Sequence, residues 1–266
     1  MVKISVIMGI YNCSTTLSES LDSLLAQTVT DWELIMCDDG SSDQTVEIAL
    51  SYCQKWPDKM KLLQNERNLG LNKTLNRCLQ YATGKYIARQ DGDDISSETR
   101  FEEEMNILDN QPEVSIVSST MLLFDDRGVW GQTNAVVYPD IKDFLKGTPF
   151  CHAASMTRKK AYDAVYGYSE SDNYLRVEDY DLWLKMYVAG FRGINIIKPL
   201  YQMRDDRNAA SRRKLKFRIN ESRVIIKAIR CFHLPFIDYI YAARPIIVGL
   251  IPNHIYLKLH RRQQKK

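Results

Sequence analysis

Three carboxylates stand within four residues in the segment Asp91-Gly92-Asp93-Asp94, a spacing that could hold a divalent cation. Mg²⁺ and Mn²⁺ prefer oxygen ligands, and proteins often supply only one or two carboxylates while substrate phosphates complete the coordination. Asp and Gly also form turns, so an acidic turn is the alternative interpretation. Neighbouring carboxylates repel one another unless a positive charge lies between them, and this repulsion favours the cation site.

A second acidic segment, Asp38-Asp39-Gly40-Ser41-Ser42, follows an apolar run. One of its carboxylates could accept a hydrogen bond from a base N–H or a ribose hydroxyl, as acidic residues do in dinucleotide sites. The alternative is that Ser42 or Asp43 caps the helix predicted next. Both interpretations can hold together, because Asp43 could cap the helix while Asp39 binds a ligand.

Glu178 and Asp179 form a third acidic pair, at the start of an apolar helical pattern. The positive end of a helix dipole stabilises a carboxylate there, so helix capping is one interpretation. The functional interpretation is a general base that faces the hydroxyl of an acceptor. The chain contains no GxGxxG, GxxxxGK[ST] or GxSxG motif, so a nucleotide site would depend on carboxylates and a metal.

The first 95 residues alternate between strand and helix patterns, which predicts an α/β fold with a parallel, doubly wound sheet. Strands are predicted at residues 4–8, 32–37, 61–64 and 86–88, and helices at 17–25, 45–56 and 71–82. Gly84 is predicted to end the third helix. Open parallel sheets bind ligands at the carboxyl ends of their strands, so the three polar strand ends should meet at one crevice.

The rest of the chain has helix patterns at 100–108 and 178–189, strand patterns at 114–117 and 194–197, and a hairpin signal around 125–128. From about residue 211 basic residues interleave with apolar ones. These basic residues are Arg212, Arg213, Lys214, Lys216, Arg218, Arg223, Lys227 and Arg230, and Arg261, Arg262, Lys265 and Lys266 follow at the end. We therefore expect a helical, basic and apolar C-terminal extension.

The 266 residues include 36 Lys+Arg and 33 Asp+Glu, and the net charge of +3 averages two unlike parts. Residues 201–266 hold 16 basic and 4 acidic side chains, and the other 200 residues hold 20 and 29. The composition, 45% apolar and 26% charged, excludes a disordered, collagen-like or multi-span membrane protein. The length favours one large α/β domain, or such a domain with an extension.

Six scattered cysteines without CxxC spacing, together with four histidines, give no zinc pattern and favour reduced thiols in a cytosolic protein. The N-terminal residues run into a strand pattern without a secretory leader. A spanning helix needs roughly 18 consecutive apolar residues, and the best candidate, residues 245–257, is too short.

In their order along residues 3–211, these segments resemble family 2 glycosyltransferases of the GT-A fold. The resemblance rests on Ser5-Val6-Ile7-Met8-Gly9-Ile10-Tyr11-Asn12, Asp38-Asp39-Gly40-Ser41-Ser42-Asp43, Asn68-Leu69-Gly70-Leu71 with Asn76, Asp91-Gly92-Asp93 at the DXD position, and Glu178-Asp179-Tyr180-Asp181-Leu182-Trp183. Each match is weak alone, but their combination is specific. Gly9 departs from the family pattern, in which proline is common.

The resemblance implies inverting transfer of a sugar from a nucleoside diphosphate donor, with a UDP-sugar as the expected one. It implies nucleotide binding by Gly9, Tyr11, Asp38, Asp39, Asn68 and Asp91, and a Mn²⁺ or Mg²⁺ site at Asp93 and Asp91. Asp179 would be the catalytic base, and Glu178, His152 and Arg204 would lie on the acceptor and diphosphate side. The alternatives are a packed structural histidine for His152 and a surface charge for Arg204 and Arg207.

It also implies a GT-A catalytic domain over residues 1–211 with a mostly parallel sheet, a nucleotide-binding half at 1–95 and an acceptor half at 96–211. Stand-alone members of this length often build bacterial surface polysaccharides, such as O-antigen or capsule, on a lipid-linked acceptor. The extension, 212–266, would be a peripheral anchor for anionic lipids at the cytoplasmic face of the inner membrane. Its alternative is a helix packed on the catalytic domain with a solvated basic face.

Two other functions are alternatives. A sugar nucleotidyltransferase also combines an α/β sheet with metal-binding aspartates, but it would carry a basic, glycine-rich loop where this chain has Tyr11-Asn12-Cys13-Ser14-Thr15. A non-enzymatic nucleotide- or nucleic-acid-binding protein could use the basic tail. Because the acidic body would repel phosphates, no nucleic acid partner is expected.

Overall fold

The computed structural model describes residues 2–205 and 214–250, and within them nine strands form one sheet. The strands are β1 (Ile4–Ile10), β2 (Trp32–Asp38), β3 (Met60–Gln64), β4 (Tyr86–Arg89), β5 (Ile95–Ser96), β6 (Val114–Asp125), β7 (Gly128–Gln132), β8 (Ser155–Arg158) and β9 (Arg192–Arg204). The helices are α1 (Leu17–Leu25), α2 (Thr45–Lys55), α3 (Leu71–Tyr81), α4 (Arg100–Asn110), α5 (Lys159–Ala164), α6 (Glu178–Val188), α7 (Leu215–Cys231) and α8 (Tyr239–Leu250).

The sheet has the order β3-β2-β1-β4-β8-β6-β9-β5, with β7 paired to β6. Its first four strands are paired in parallel, which confirms the prediction for this half of the chain. Ile4 and Val6 of β1 pack in one core with Leu21 of α1, whereas Ile7 packs in a second core with Leu75 of α3. A strand that is covered on both faces reads as an apolar run, which is why the sequence pattern located β1 and β2.

The other half of the sheet is mixed. β8 lies antiparallel to β4 and β6, β9 runs parallel to β6, and β5 pairs antiparallel with β9. The strands β6 and β9 are much longer than the sequence patterns predicted. Buried Ser118, Ser119 and Thr120 interrupt the apolar run of β6, so its pattern ended at Val117. The four-residue strand β8 was not predicted, since it contains the buried Arg158, whose Nε donates to the carbonyl oxygen of Val114 at 2.7 Å.

The prediction that Gly84 ends the third helix is wrong. Helix α3 ends at Tyr81, and Ala82 already has an extended backbone. Gly84 instead lies where the chain passes β1, because a Cβ at this position would be 2.6 Å from the backbone nitrogen of Ser5. The glycine allows this close approach of two backbone segments.

The basic helix α7 packs on the rest of the chain. Val224, Ile225 and Ile229 are buried in the same core as Trp183 of α6. In addition, the Nζ atom of Lys227 lies 2.6 Å from Oδ1 of the buried Asp181. Residues 215–231 therefore match the alternative interpretation of the extension, a helix packed on the domain. The division at residue 211 stays a prediction, and the basic residues at 212–213 and 261–266 lie outside the described residues.

Helix α8 returns along α7, since a Cβ on Gly249 would lie 3.0 Å from Cγ of Arg218. The turn before α8 and its outer face expose large apolar side chains, among them Phe236, Ile237, Ile240 and Ile247. Across the described parts of the chain, no helix combines the length and apolar character needed to cross a bilayer.

Candidate active site

Two cavities lie side by side at the carboxyl ends of β1, β2 and β4. The β1–α3 cavity has a volume of about 310 Å³, and its lining includes Gly9, Tyr11, Asp39, Asn68, Glu178 and Phe217. The β1–β4 cavity has a volume of about 350 Å³, and its lining includes Gly9, Tyr11, Cys13, Asp91, Asp93 and Arg204. Because Gly9 and Tyr11 line both, the crevice expected at the strand ends consists of two joined cavities.

Gly9 brings β1 close to α3 at the wall of the β1–α3 cavity. A Cβ at this position would lie 3.1 Å from Cδ1 of Leu71 and 3.2 Å from Cγ2 of Thr74. A larger residue would push the helix away from the strand, since protein interiors leave little room for an added atom. The residue that departs from the family pattern thus has a packing role here. Tyr11, which is 50% exposed, stands between the two cavities.

Asp39 holds the loop that leads into α3. Its buried carboxylate accepts hydrogen bonds from Nδ2 of Asn65 at 2.9 Å and from the backbone nitrogens of Leu69 and Gly70 at 2.8 and 2.9 Å. These bonds fix the loop on which the exposed Asn68 borders the cavity. The contribution of Asn65 was not predicted, because nothing in its local sequence distinguishes it from a surface residue.

Asp38 is absent from the lining of both cavities. Its carboxylate accepts hydrogen bonds from the backbone nitrogens of Gly40 and Ser41 and, at 2.5 Å, from the hydroxyl of Ser41. It therefore forms the turn that ends β2. Asp43 joins that turn to α2, since it accepts from the nitrogen and hydroxyl of Thr45, the first residue of the helix. Hydrogen bonds from Thr45 and Ser14 lower the pKa of Asp43.

Asp91 and Asp93 line the β1–β4 cavity, whereas Asp94 turns inward. The guanidinium of Arg89, which is almost fully buried, pairs with the carboxylate of Asp91. Partial desolvation and the charge of Asp91 raise the pKa of Asp93. Burial, with the charges of Asp91 and Asp93, raises the pKa of Asp94 to about 8, and its Oδ1 accepts from the backbone nitrogen of Arg204 at 2.7 Å.

The donor set of the β1–β4 cavity fits a divalent cation that is shared with a ligand. Among residues 2–205 and 214–250, no group of three or more His, Cys, Asp and Glu side chains is arranged to hold a metal by itself. Two carboxylates that face one cavity match Mg²⁺ or Mn²⁺, which commonly take further oxygens from substrate phosphates and water. The raised pKa of Asp93 means that its ionised form is disfavoured by burial and by the charge of Asp91. A bound cation would stabilise that ionised form.

Arg204 borders the same cavity and is held in place on three sides. Its Nε donates to the carbonyl oxygen of Asp93 at 3.2 Å, and its Nη2 lies 2.6 Å from Oε2 of Glu19. The guanidinium also lies 4.5 Å from the ring centre of Phe124. Arg204 is thus a positioned charge at the cavity rather than an isolated surface arginine. Arg207 lies outside the described residues.

A buried network that was not predicted supports the loop after β4. Arg100 of α4 donates to the carbonyl oxygens of Arg89 at 2.8 Å and Ser155 at 3.1 Å, and it pairs with Glu104 at 3.2 Å. Gln90, also buried, donates from Nε2 to the carbonyl oxygen of Asp94 at 2.9 Å. These bonds hold the backbone on both sides of Asp91 and Asp93. Arg100, Glu104 and Gln90 are residue types that are usually exposed, so their burial could not be predicted from the sequence.

The helix α6 begins at Glu178 and Asp179, as predicted. Glu178 lines the β1–α3 cavity, and burial together with the charge of Asp179 raises its pKa to about 7. Oδ2 of Asp179 accepts a hydrogen bond from the hydroxyl of Thr148 at 3.2 Å. Of these two adjacent carboxylates, only Glu178 lines a cavity, whereas Asp179 lies beside Thr148 and belongs to neither cavity lining.

His152 lies in a packed aromatic group that belongs to neither cavity lining. Its Nε2 is 2.8 Å from the hydroxyl of Tyr168, and its ring centre is 6.2 Å from that of Trp183. Burial and the positive charge of Arg89 hold the pKa of His152 well below 6.5, so the ring is neutral at pH 7. These contacts match the alternative of a structural histidine, and a role toward the acceptor stays a prediction.

Known proteins resemble the chain in both sequence and fold. EpsE of Bacillus subtilis, named as a glycosyltransferase, is 43% identical over 98% of this chain and 94% of its own length. An Escherichia coli UDP-Gal:alpha-D-GlcNAc-diphosphoundecaprenol beta-1,3-galactosyltransferase is 30% identical over 98% of this chain and 97% of its own length.

The solved mannosyltransferase PcManGT from Pyrobaculum calidifontis, in complex with GDP-Man and Mn²⁺, has a TM-score of 0.68 at 18% identity, covering 99% of this chain and 81% of its own. S. aureus TarS 1-349 in complex with UDP-GlcNAc has a TM-score of 0.67 at 20% identity, and the match covers 95% of this chain and 72% of the TarS chain. These likenesses confirm the predicted GT-A fold. The profile of Glycosyl transferase family 2 matches residues 5–166, and the chain belongs to this family of glycosyltransferases.

Proposed function

We propose that the chain transfers a sugar, with inversion, from a UDP-sugar to a hydroxyl of a growing glycan in the synthesis of a cell-surface polysaccharide. The observation that supports this most is the joining of two unlike cavities through Gly9 and Tyr11. The β1–α3 cavity has the volume and the polar edge that a nucleoside needs. The β1–β4 cavity has the two carboxylates and the arginine that suit a diphosphate with its cation.

In this proposal the side chains divide the donor between the two cavities. Tyr11 and Asp39 would hold the base in the β1–α3 cavity, and Asp91, in the β1–β4 cavity, would contact the ribose on the side that faces the diphosphate. Asp91 and Asp93 would hold Mn²⁺ or Mg²⁺, which when bound stabilises the leaving diphosphate as a Lewis acid. Arg204 would add a fixed positive charge beside the diphosphate. The complexes of TarS with UDP-GlcNAc and of PcManGT with GDP-Man and Mn²⁺ support a nucleotide-sugar donor and a divalent cation.

Asp179 is proposed as the general base. It would take the proton of the acceptor hydroxyl as that oxygen attacks the anomeric carbon, so that a single displacement inverts the configuration. The hydrogen bond from Thr148 would orient the carboxylate. Glu178, which lines the nucleotide cavity, would contact the donor sugar or the acceptor.

The acceptor is proposed to be lipid-linked, since the name of the Escherichia coli relative includes a diphosphoundecaprenol acceptor. The turn before α8, which follows the basic helix α7, exposes large apolar side chains, with Phe236 at 87% and Ile237 at 71%. Such a surface suits peripheral contact with an anionic bilayer at the cytoplasmic face of the membrane.

Thermal unfolding in the presence of nucleotides tests the proposal. UDP, GDP, UDP-glucose, UDP-galactose, UDP-GlcNAc and GDP-mannose would be compared with Mn²⁺ and with EDTA. At 100 times its Kd, a bound donor should raise Tm by about 5 to 10 °C, and EDTA should abolish most of this shift. The protecting nucleotide-sugar would then be tested for slow hydrolysis. If no nucleotide protects the chain with either Mn²⁺ or Mg²⁺, the proposal is wrong.

A further inference from the structure

A third cavity, which we call the α7 cavity, opens along the second half of α7. It has a volume of about 530 Å³ and is lined by Asn173, Tyr174, Arg223, Lys227, Arg230 and their neighbours Ile226 and Cys231. The two residues that follow Tyr174, Leu175 and Arg176, line the β1–α3 cavity. One short segment before α6 therefore separates the α7 cavity from the proposed donor site.

The α7 cavity is positively charged. Arg223, Lys227 and Arg230 stand at i, i+4 and i+7, on one face of the helix. Lys227 is neutralised by the buried Asp181, at 2.6 Å. Arg223 donates to two neutral amide oxygens, of Asn173 at 2.9 Å and of Asn220 at 2.8 Å. Arg230 is exposed, and within the described ranges no carboxylate pairs with either arginine.

Helix α7 also fixes the segment between the cavities. Nδ2 of Asn220 donates to the carbonyl oxygens of Asp172 at 3.2 Å and Leu175 at 3.1 Å. Lys227 reaches past this segment to Asp181, which lies in the first turn of α6, close to Asp179. Helix α7, which would bind an anion in the α7 cavity, thus also contacts the segment before α6 and the first turn of α6, which carries the proposed base.

An apolar surface follows the residues of the α7 cavity along the chain. Cys231 lines the cavity, and five residues later Phe236 and Ile237 are strongly exposed. Ile240 and Ile247 continue this apolar exposure along α8. A cationic cavity next to an apolar surface is the arrangement that recognises an amphiphile, with its phosphate in the cavity and its chain along the surface.

We propose that the α7 cavity binds the phosphate or diphosphate group of a lipid-linked acceptor, with Arg223 and Arg230 as its anion ligands. This rests on the proposed function, and it assigns the acceptor's head group to a site apart from the donor cavities. Guanidinium groups form paired, charge-assisted hydrogen bonds with phosphate oxygens, which an exposed lysine on the same helix does not match.

Calorimetric titration of the full chain tests this inference. The probes are farnesyl diphosphate, inorganic diphosphate and vesicles of phosphatidylglycerol, all in EDTA so that no cation recruits a diphosphate to Asp91 and Asp93. The double variant R223Q/R230Q should bind farnesyl diphosphate about 100-fold more weakly, at about tenfold for each lost guanidinium. The matched control K214Q/K216Q removes the same charge from exposed positions on or beside α7, and it should change this affinity less than threefold.

Arg223 also contacts Asn173, so Arg230→Gln alone serves as the variant without a structural cost, and it should lose about tenfold. Equal losses in R223Q/R230Q and K214Q/K216Q, or losses confined to the vesicles, would overturn the inference in favour of general surface charge or a phospholipid head group. A parallel loss for inorganic diphosphate supports recognition of the phosphate itself.

Binding of UDP with Mn²⁺ separates this inference from the proposed function. R223Q/R230Q should keep the Tm shift produced by UDP, and its KM for a lipid-linked acceptor should rise about 100-fold while its KM for the donor stays unchanged. If the unmodified chain binds UDP but not farnesyl diphosphate, only this inference is wrong. If it binds no nucleotide, the proposed function is wrong.

Discussion

The ends of β2 and β4 carry the same kind of sequence, carboxylates beside a glycine, but the structure surrounds them differently. The carboxylates of Asp38 and Asp39 accept hydrogen bonds from N–H and O–H donors of the surrounding loops. Asp91 and Asp93 face a cavity, one paired with Arg89 and the other with a raised pKa. Donors from the chain already balance the carboxylates at the end of β2, whereas the neighbouring carboxylates at the end of β4 repel one another and would be stabilised by a cation.

The largest effect should follow from a change at the end of β4. Asp93→Asn removes a proposed metal ligand, and we expect Mn²⁺-dependent binding of UDP to weaken about 100-fold or more, with transfer lost. In EDTA the variant should be at least as stable as the unmodified chain, because a carboxylate crowded by Asp91 has gone. Calorimetry and thermal unfolding measure both, with the exposed Asp31→Asn as the matched control. Unchanged UDP affinity would mean that the two strand ends do not differ in this way.

The next change tests whether the acidic pair at α6 acts in catalysis. Asp179→Asn should lower kcat by about 10²- to 10⁴-fold, since a proton acceptor has been removed, while UDP affinity stays within about twofold. Single-turnover kinetics with a lipid-linked acceptor measures the loss. Glu178→Gln is the neighbouring control and should cost less. If Glu178→Gln abolishes turnover and Asp179→Asn does not, the base is Glu178.

At the end of β2 the effect should fall on stability rather than on metal binding. Asp39→Ala leaves Nδ2 of Asn65 and the nitrogens of Leu69 and Gly70 without their acceptor. We expect a loss of about 2 to 4 kcal/mol in the free energy of unfolding, measured in urea. The Mn²⁺ concentration needed for half-maximal UDP binding should not change. A stable variant with altered metal dependence would contradict the comparison.

The smallest effect concerns pH. The pKa of Glu178 rises from 4.5 to about 7 on folding, so the folded chain keeps a proton that the unfolded chain has lost between these values. The contribution of Glu178 to stability should therefore decrease from pH 4.5 to 7 and stay level above. Relative to Glu178→Gln, the unmodified chain should lose about 1 to 3 kcal/mol between pH 5 and pH 8, measured by urea unfolding. A pH-independent difference would show that Glu178 is ionised in the folded chain across this range.

The sequence predicted what depends on short-range pattern. Apolar runs that are covered on both faces located β1 and β2, and their order implied a parallel half-sheet with polar strand ends at one edge. The sequence thereby predicted that Tyr11, Asp39, Asp91 and Asp93 lie near one another. In the structure all four line the joined cavities.

What the sequence could not predict depends on contacts between distant segments. Arg100 looks like a surface residue of an exposed helix, but it is buried and binds the backbone of Arg89 and Ser155. Asp39 has the same local sequence as a ligand-binding aspartate, and its donors, Asn65, Leu69 and Gly70, come from about thirty residues away. The packing of α7 on α6 likewise rests on Lys227 and Asp181, 46 residues apart.

The wall that Gly9 and Tyr11 share between two cavities has a kinetic consequence for the proposed reaction. When one half of a ligand that spans both cavities is bound, the other half is held near its own cavity at a high effective concentration. Such a ligand therefore binds far more tightly than a nucleoside or a diphosphate alone. The leaving nucleotide still contains both halves after the sugar has departed. We therefore expect UDP to keep much of the affinity of the donor, and its release, rather than the chemical step, to limit turnover.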